Sequence, residues 1–172
     1  DIKSIPELKY WDENFEKAGI DGVKYPVSIK SMLKRIIEDN QWMKSMSSLV
    51  DIYNTVSLEN MMPMGAYDID RSGDHLEIRF SKNNDKFQQL NKNDYENLGE
   101  GELIFADENE VLCRNWAWKQ SDGQKITKRT QNVIMRIEGT GKSDEELQNV
   151  MDELMELFEK TIGGKTEKYI LN

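Results

Sequence analysis

The most chemically distinctive part of the sequence is a stretch in which tryptophans alternate with basic residues. This stretch contains Arg114, Trp116, Trp118 and Lys119 within six positions. If the run Val111–Trp118 is a strand, it places the arginine and both tryptophans on one face. An arginine beside two aromatic rings can stack against a base or a sugar. The alternative is that the tryptophans pack beneath a helix while the basic side chains face solvent. Spacing alone favours this structural interpretation.

A second polar group follows this stretch. Thr127, Thr130 and Asn132 lead into the predicted strand Val133–Glu138. Their hydroxyl and amide groups could line a pocket for a small polar ligand or orient a water molecule. Threonine and asparagine also cap turns and strand edges routinely, so a purely structural role stays open.

The common catalytic motifs are missing from the sequence. It contains no Walker A loop, no G-x-G-x-x-G, no G-x-S-x-G and no H-E-x-x-H. A hydrolytic triad or a zinc site would depend on His75, the only histidine, which we expect at the surface. The scattered carboxylates leave oxygen-only binding of Mg²⁺ or Ca²⁺ open, without an EF-hand loop to support it. The sequence therefore predicts no metal site and no cofactor.

Composition restricts the classes of function further. A length of 172 residues fits one domain with a real core, and no run is apolar enough to span a membrane. The single cysteine, Cys113, excludes an internal disulfide and is consistent with a reducing compartment, so we predict a cytoplasmic location. The net charge of −9 argues against broad nucleic-acid binding but leaves a local basic patch open.

Hydrophobic spacing predicts helices at both ends of the chain and strands between them. The predicted helices include an apolar stripe from Ile29 to Ile37, the segment Ser48–Leu58, and a stripe from Leu147 to Phe158 that follows the capping-box sequence Ser143–Glu146. The predicted strands are His75–Phe80, Glu102–Ala106, Val111–Trp118 and Val133–Glu138. Strands bracketed by helices indicate an α+β fold.

Several segments also match the pattern of a known domain. In order, they are Val50–Asn54 with Ser57–Leu58, Pro63–Asp70, Ile78–Arg79, Gly101–Asp107 and Thr130–Val133. Together they resemble the B3/B4 domain of the phenylalanyl-tRNA synthetase beta subunit. The segment Val111–Lys119 is similar to a hallmark of the free-standing versions of that domain. We therefore expect a single domain over residues 1–172, without the N-terminal portion that the free-standing proteins usually carry.

The resemblance carries expectations about fold, activity and site. It implies an α+β fold with a β-sandwich-like core of unusual topology flanked by helices, and, in the synthetase, hydrolysis of tRNA mischarged with tyrosine. The predicted catalytic candidates are Thr127, Thr130 and Asn132. The predicted substrate-binding and tRNA-binding residues are Asn54, Gly65, Asp68, Glu102, Arg114, Trp116, Trp118, Lys119 and Arg136.

Two of these positions depart from the synthetase pattern. Gly65 stands where the synthetase has a histidine, and Arg136 stands where it has a glutamate. Glycine cannot act as a base, and arginine reverses the charge, so we do not expect tyrosine editing in its known form. An arginine in the pocket could instead pair with a carboxylate or a phosphate.

Three functions are consistent with the sequence, in this order of preference. The first is a free-standing protein that binds tRNA or aminoacyl-tRNA and hydrolyses a mischarged aminoacyl-tRNA in trans. The second is a non-catalytic module that binds tRNA or an amino-acid-like small ligand. The third is an interaction protein, such as a homo-oligomer, that presents the apolar faces of helices Ile29–Glu38 and Leu147–Phe158.

Overall fold

The computed structural model describes residues 2–41 and 44–171, and within them it contains helices and antiparallel strands. The helices are α1 (Pro6–Lys17), α2 (Ser28–Ile37), α3 (Ser48–Asn60) and α4 (Asp144–Thr161). The strands are β1 (Met64–Asp68), β2 (Glu77–Phe80), β3 (Lys86–Gln88), β4 (Tyr95–Asn97), β5 (Leu103–Ala106), β6 (Val111–Arg114), β7 (Lys119–Gln120) and β8 (Val133–Ile137). None of these helices is long and apolar enough to cross a membrane.

The strands form three antiparallel groups. The first and last strands of the chain, β1 and β8, pair with each other, and β2, β5, β6 and β7 form a four-stranded sheet in that order. The short strands β3 and β4 form a separate pair. The β1–β8 pair joins segments that are far apart in sequence, so it depends on tertiary packing.

The two larger groups of strands pack face to face. Tyr67 of β1 and Ile134 of β8 pack against Phe105 of β5 and Cys113 of β6, and the Tyr67 and Phe105 ring centroids are 5.2 Å apart. Helices α3 and α4 cover the other face of β1–β8, while Phe87 of β3 packs against the other face of the four-stranded sheet. The predicted α+β fold, with a sandwich-like core flanked by helices, is confirmed.

The helices follow the predicted apolar spacing. Trp11 and Phe15 of α1 and Ile29 of α2 belong to one buried cluster, and Val150 and Leu154 of α4 belong to another with α3. The apolar faces of α2 and α4 therefore pack largely against the chain's own core, although they had been considered as partner surfaces. Homo-oligomerisation stays a prediction.

The predicted strand Val111–Trp118 is wrong in its second half. Strand β6 ends at Arg114, and Asn115 and Trp116 adopt left-handed backbone conformations with φ of 44° and 62°. The chain then reverses into β7, because the Trp116 ring packs against Trp11 and Phe15 instead of continuing the pleat. Arg114 and the two tryptophans therefore do not share a strand face.

Candidate functional site

A half-open cavity of about 160 Å³ lies between the β1–β8 pair, the start of α2, the middle of α3 and the β6–β7 turn. The volume corresponds to about five groups of the size of a water molecule. The polar groups in its wall come from Tyr53, Asn54, Tyr67, Gln120, Arg136 and Glu138, beside Gly65 and Trp118. A cavity with a few convergent polar groups is the expected form of a small-ligand site.

Gly65 and Arg136 are direct partners across the β1–β8 pair. Direct cross-strand partners project to the same face of a sheet, and Tyr67, two residues after Gly65, shares that face. A Cβ atom at position 65 would lie 3.1 Å from the Tyr67 hydroxyl oxygen, so glycine keeps this part of the cavity open. The two departures from the synthetase pattern thus lie side by side in the cavity wall.

Arg136 is held from three sides. Its Nη2 donates to the Trp116 carbonyl at 2.7 Å, and its guanidinium lies 4.5 Å from the centroid of the Phe105 ring. Its Nε lies 2.7 Å from Glu138 Oε1, an ion-pair distance, but the two groups are not aligned for a hydrogen bond. Its Nη1 is also enclosed and has no hydrogen-bond partner among the described residues.

The charge of Arg136 is maintained despite its burial. Burial lowers the pKa of the guanidinium, but interactions with Tyr67, Glu138 and Cys113 outweigh it and raise the pKa above its ordinary value. Arg136 is therefore a fixed cation in the cavity wall at any physiological pH.

Trp116 connects the two members of this ion pair. Its indole Nε1 donates to Glu138 Oε2 at 2.9 Å, and its carbonyl accepts from Arg136. Its ring packs in the cluster of α1, with centroids 5.2 Å from Trp11 and 6.0 Å from Phe15. Trp116 therefore positions the Arg136–Glu138 pair, in line with the packing interpretation that spacing favoured, and a contact of Trp116 with tRNA stays a prediction.

The thiol of Cys113 and the hydroxyls of Tyr67 and Tyr53, which also line the cavity, are neutral at pH 7. Burial raises the pKa of the Cys113 thiol and of the Tyr67 hydroxyl, and it raises the pKa of Tyr53 to about 12. Neither the thiol nor the phenols are ready nucleophiles or bases in this state. Glu138 is the carboxylate that lines the cavity. Among residues 2–41 and 44–171, no cluster of His, Cys, Asp and Glu could hold a metal ion.

The predicted catalytic candidates lie elsewhere. Thr130 Oγ1 donates to Asp68 Oδ2 at 2.6 Å and accepts from the Thr127 amide at 2.9 Å, while Asn132 donates to Asp70 at 3.1 Å. Asp68 lies three residues from Gly65 along β1, which is roughly 10 Å at the usual strand rise. These groups form hydrogen bonds in the loop before β8 and lie outside the residues that line the cavity, and their catalytic role stays a prediction.

Glu102 and Arg114 bind each other outside the cavity wall. Arg114 donates from Nε and Nη2 to the Glu102 carboxylate at 2.8 and 2.7 Å, and from Nη1 to Glu96 at 2.9 Å. Glu102 also accepts from the Asn115 amide and so holds the β6–β7 turn. Two carboxylates thus pair with the Arg114 guanidinium, and a contact of Arg114 with tRNA stays a prediction.

An aromatic corner lies next to the cavity, formed by Lys24, Tyr25, Trp118 and Lys119. The Tyr25 and Trp118 rings meet edge to face with centroids 4.7 Å apart. Lys24 Nζ lies 4.9 Å from the Tyr25 centroid, and Lys119 Nζ lies 4.6 Å from the Trp118 centroid. In the described part of the chain, neither lysine forms an ion pair with a carboxylate, so the corner carries uncompensated positive charge.

The structure thus brings four of the predicted residues to the cavity: Asn54, Gly65, Trp118 and Arg136. Sequence reasoning missed Tyr53, Tyr67, Gln120 and Glu138. The two-residue period of a strand signals Glu138 and Tyr67, because they share a face with Arg136 and Gly65. Gln120, whose Nε2 donates to the Ala66 carbonyl at 2.8 Å, had no such signal.

Known proteins with similar sequences bear on this site. The family model of the B3/4 domain matches residues 13–167. The phenylalanine–tRNA ligase beta subunit of Neisseria meningitidis serogroup B is 32% identical over 129 residues, which are 66% of this chain and 16% of that subunit. The subunit of Colwellia psychrerythraea is 35% identical over 70 residues, 41% of this chain and 9% of the subunit. The subunit of Fusobacterium nucleatum is 28% identical over 112 residues, which are 60% of this chain and 14% of that subunit.

The match to the family model covers most of the chain, and the fold and cavity are consistent with it. The chain belongs to the B3/4 domain family. It spans less than a fifth of the length of these beta subunits.

Proposed function

We propose that this protein binds the aminoacylated end of a tRNA and hydrolyses the ester bond of a mischarged amino acid in trans. The observation that carries the proposal is the position of the cavity in a B3/4 domain, directly beside the aromatic corner. Trp118 belongs to both, so a nucleotide on the corner would be adjacent to a group held in the cavity.

The aromatic corner supplies the features that a single-stranded RNA end requires. The rings of Tyr25 and Trp118 can stack with a terminal base when Lys24 and Lys119 move off their faces, and stacking of this kind is tolerant of sequence. Lys24 and Lys119 lie over the same two rings and can contact the phosphates that flank such a base. A small basic surface of this kind is compatible with a net charge of −9, since the local field depends on the distribution of charge.

The cavity would then orient the ester for attack by water. Water attacks the aminoacyl carbonyl carbon, and the fixed positive charge of Arg136 stabilises the oxyanion that forms on the carbonyl oxygen. The bond between the carbonyl carbon and the tRNA oxygen breaks, and that oxygen takes up the proton that water released. Because Tyr67 and Cys113 stay protonated, the proton passes through the free ribose hydroxyl beside the ester.

A deacylation assay with a panel of mischarged aminoacyl-tRNAs tests the proposal. We expect hydrolysis above the uncatalysed rate for at least one amino acid, and loss of that activity in Lys24→Ala/Lys119→Ala. The control, Lys128→Ala/Arg129→Ala, removes two exposed basic residues outside the corner and should retain activity. Absence of hydrolysis across the whole panel would contradict the catalytic part of the proposal.

A second function, binding without hydrolysis, is favoured by the state of Glu138. This carboxylate already accepts from the Trp116 indole and pairs with Arg136, so it is not free to position or activate a water molecule. In this case the protein would bind uncharged or charged tRNA without consuming it. Tight binding of aminoacyl-tRNA in a filter assay, with an unchanged rate of ester hydrolysis, would identify this second function.

A further inference from the structure

The Arg136–Glu138 pair leaves three polar atoms without hydrogen bonds. Arg136 Nε and Nη1 and Glu138 Oε1 are enclosed and form no hydrogen bond within the described part of the chain, although Nε and Oε1 lie 2.7 Å apart as an ion pair. Both side chains line the cavity, and only 16% of the arginine and 11% of the glutamate side chain is exposed. Enclosed polar atoms without partners are costly, so this wall of the cavity is suited to a ligand that satisfies them.

The Arg136 guanidinium and the Glu138 carboxylate need opposite kinds of hydrogen-bond partner. Glu138 Oε1 can only accept a hydrogen bond, and Arg136 Nη1 can only donate one. The two side chains carry opposite charges. They lie close together on one face at the end of β8, where Glu138 directly follows the strand. A complementary ligand therefore carries a cationic donor and an acceptor oxygen on neighbouring atoms.

We infer that the Arg136–Glu138 pair recognises the α-ammonium group and the adjacent carbonyl of an amino acid. The ammonium group donates to Glu138 Oε1, and the carbonyl or carboxylate oxygen accepts from Arg136 Nη1. The inference rests on the proposed function, since it assigns the part of the aminoacyl group that the cavity holds. Because these atoms are enclosed, ligand binding requires the two side chains to turn toward the cavity that they line.

Gly65 belongs to the same recognition site. It lies directly across from Arg136, and its missing side chain leaves the space that the ligand's Cα would use. A larger residue at position 65 would meet the Tyr67 hydroxyl, because even a Cβ atom would come within 3.1 Å of it. The site thus combines one charged pair with one small residue.

A set of ligands that differ in one group each tests this inference with the wild-type protein. L-Alaninamide carries both groups, propionamide lacks the ammonium group, and ethylamine lacks the carbonyl. We expect saturable NMR shift changes of cavity residues with L-alaninamide, and binding at least about tenfold weaker for the other two. Equal responses to L-alaninamide and propionamide, or no response to any ligand at millimolar concentration, would overturn the inference.

Substitution of Arg136 and Glu138 provides a second test of the inference. Arg136→Gln/Glu138→Gln removes both charges together, so neither is left buried without its partner. It should lose about tenfold or more in affinity for L-alaninamide, while Lys128→Ala should bind as the wild type does. Unchanged affinity in a folded double variant would overturn the inference, and if this variant does not fold, the wild-type ligand series decides.

These results separate the inference from the proposed function. Binding of L-alaninamide without any binding or hydrolysis of aminoacyl-tRNA would support the amino-acid site and contradict the tRNA function. Hydrolysis of aminoacyl-tRNA without discrimination among the three ligands would contradict the amino-acid site and leave the tRNA function in place.

Discussion

At the scale of single residues, Trp116 joins the hydrophobic core to the cavity. Its ring packs against Trp11 and Phe15, its indole N–H holds Glu138, and its carbonyl holds Arg136. It does this from a left-handed backbone conformation with φ of 62°, which is unfavourable for a bulky residue. The surrounding contacts must compensate for that conformation.

Trp116→Phe tests the role of the indole N–H. The variant keeps an aromatic ring but leaves Glu138 Oε2 without a donor, so we expect a loss of about 1–3 kcal/mol in the free energy of unfolding. Chemical denaturation measures this change. Trp118→Phe is the matched control, because no hydrogen bond from its indole is found among the described residues, and it should change stability by less than about 0.5 kcal/mol. Equal losses in the two variants would argue against a positioning role for Trp116.

Tyr53 gives a prediction about alkaline pH. Burial raises its pKa to about 12 in the folded protein, above the value of 10.0 for a free tyrosine. Above pH 10 the unfolded state releases this proton while the folded state retains it, so folding stability falls as pH rises from about 10 to 12. Two pKa units correspond to about 3 kcal/mol.

Denaturation curves between pH 9 and pH 12 check this dependence. Tyr53→Phe cannot ionise, so its stability should fall less steeply over this range than that of the wild type. Tyr10→Phe is the control, because its side chain is exposed and should leave the slope unchanged. A wild-type slope in Tyr53→Phe would contradict the assignment.

At the scale of elements, the capping box of α4 stabilises the helix that covers the β1–β8 pair. The Ser143 amide donates to Glu146 at 2.8 Å, and the Glu146 amide donates to the Ser143 hydroxyl at 3.2 Å. These bonds satisfy backbone donors that the first turn of a helix leaves free. Val150 and Leu154 of the same helix are buried in the core behind the cavity.

Ser143→Ala should therefore lower stability by about 1 kcal/mol. In a domain of this size that corresponds to a decrease of about 3 °C in Tm, measured by thermal denaturation. Ser48→Ala serves as the control, since Ser48 is exposed at the start of α3, where Ser47 provides the cap. A decrease of similar size in both variants would show that the capping box is not the cause.

At the scale of the whole molecule, charge limits how this protein can bind RNA. With a net charge of −9, attraction over the entire surface is excluded, and the proposed contact depends on Lys24 and Lys119 of the aromatic corner. Two phosphate contacts predict a slope of about −1.5 for the logarithm of the tRNA association constant against the logarithm of salt concentration. A titration at several salt concentrations measures it.

Removal of one lysine should reduce that slope. Lys119→Ala is expected to weaken binding at low salt and to bring the slope toward about −0.7, while Lys128→Ala leaves both unchanged. A slope several times steeper than predicted would mean that other basic residues contact the tRNA. A slope that does not respond to Lys119→Ala would exclude the corner.

The sequence by itself determined the fold class, the helices and four residues of the cavity wall. Apolar periodicity and capping residues act within a few turns, so α3, α4 and β8 could be located from local pattern. The family resemblance pointed to Gly65 and Arg136 as unusual positions. Local pattern left both the pocket interpretation and the structural interpretation of Thr127, Thr130 and Asn132 open.

Only the tertiary structure decided that Gly65 and Arg136 are neighbours. They are 71 positions apart, and no local signal reports the register of β1 against β8. It also decided that the strand after Arg114 ends, because the packing of the Trp116 ring against α1 overrides the β propensity of that segment. That turn carries Trp116 to the Arg136–Glu138 pair and Trp118 to the cavity mouth. The site is thus assembled by contacts between segments that are distant in sequence. Local sequence periodicity does not report such contacts.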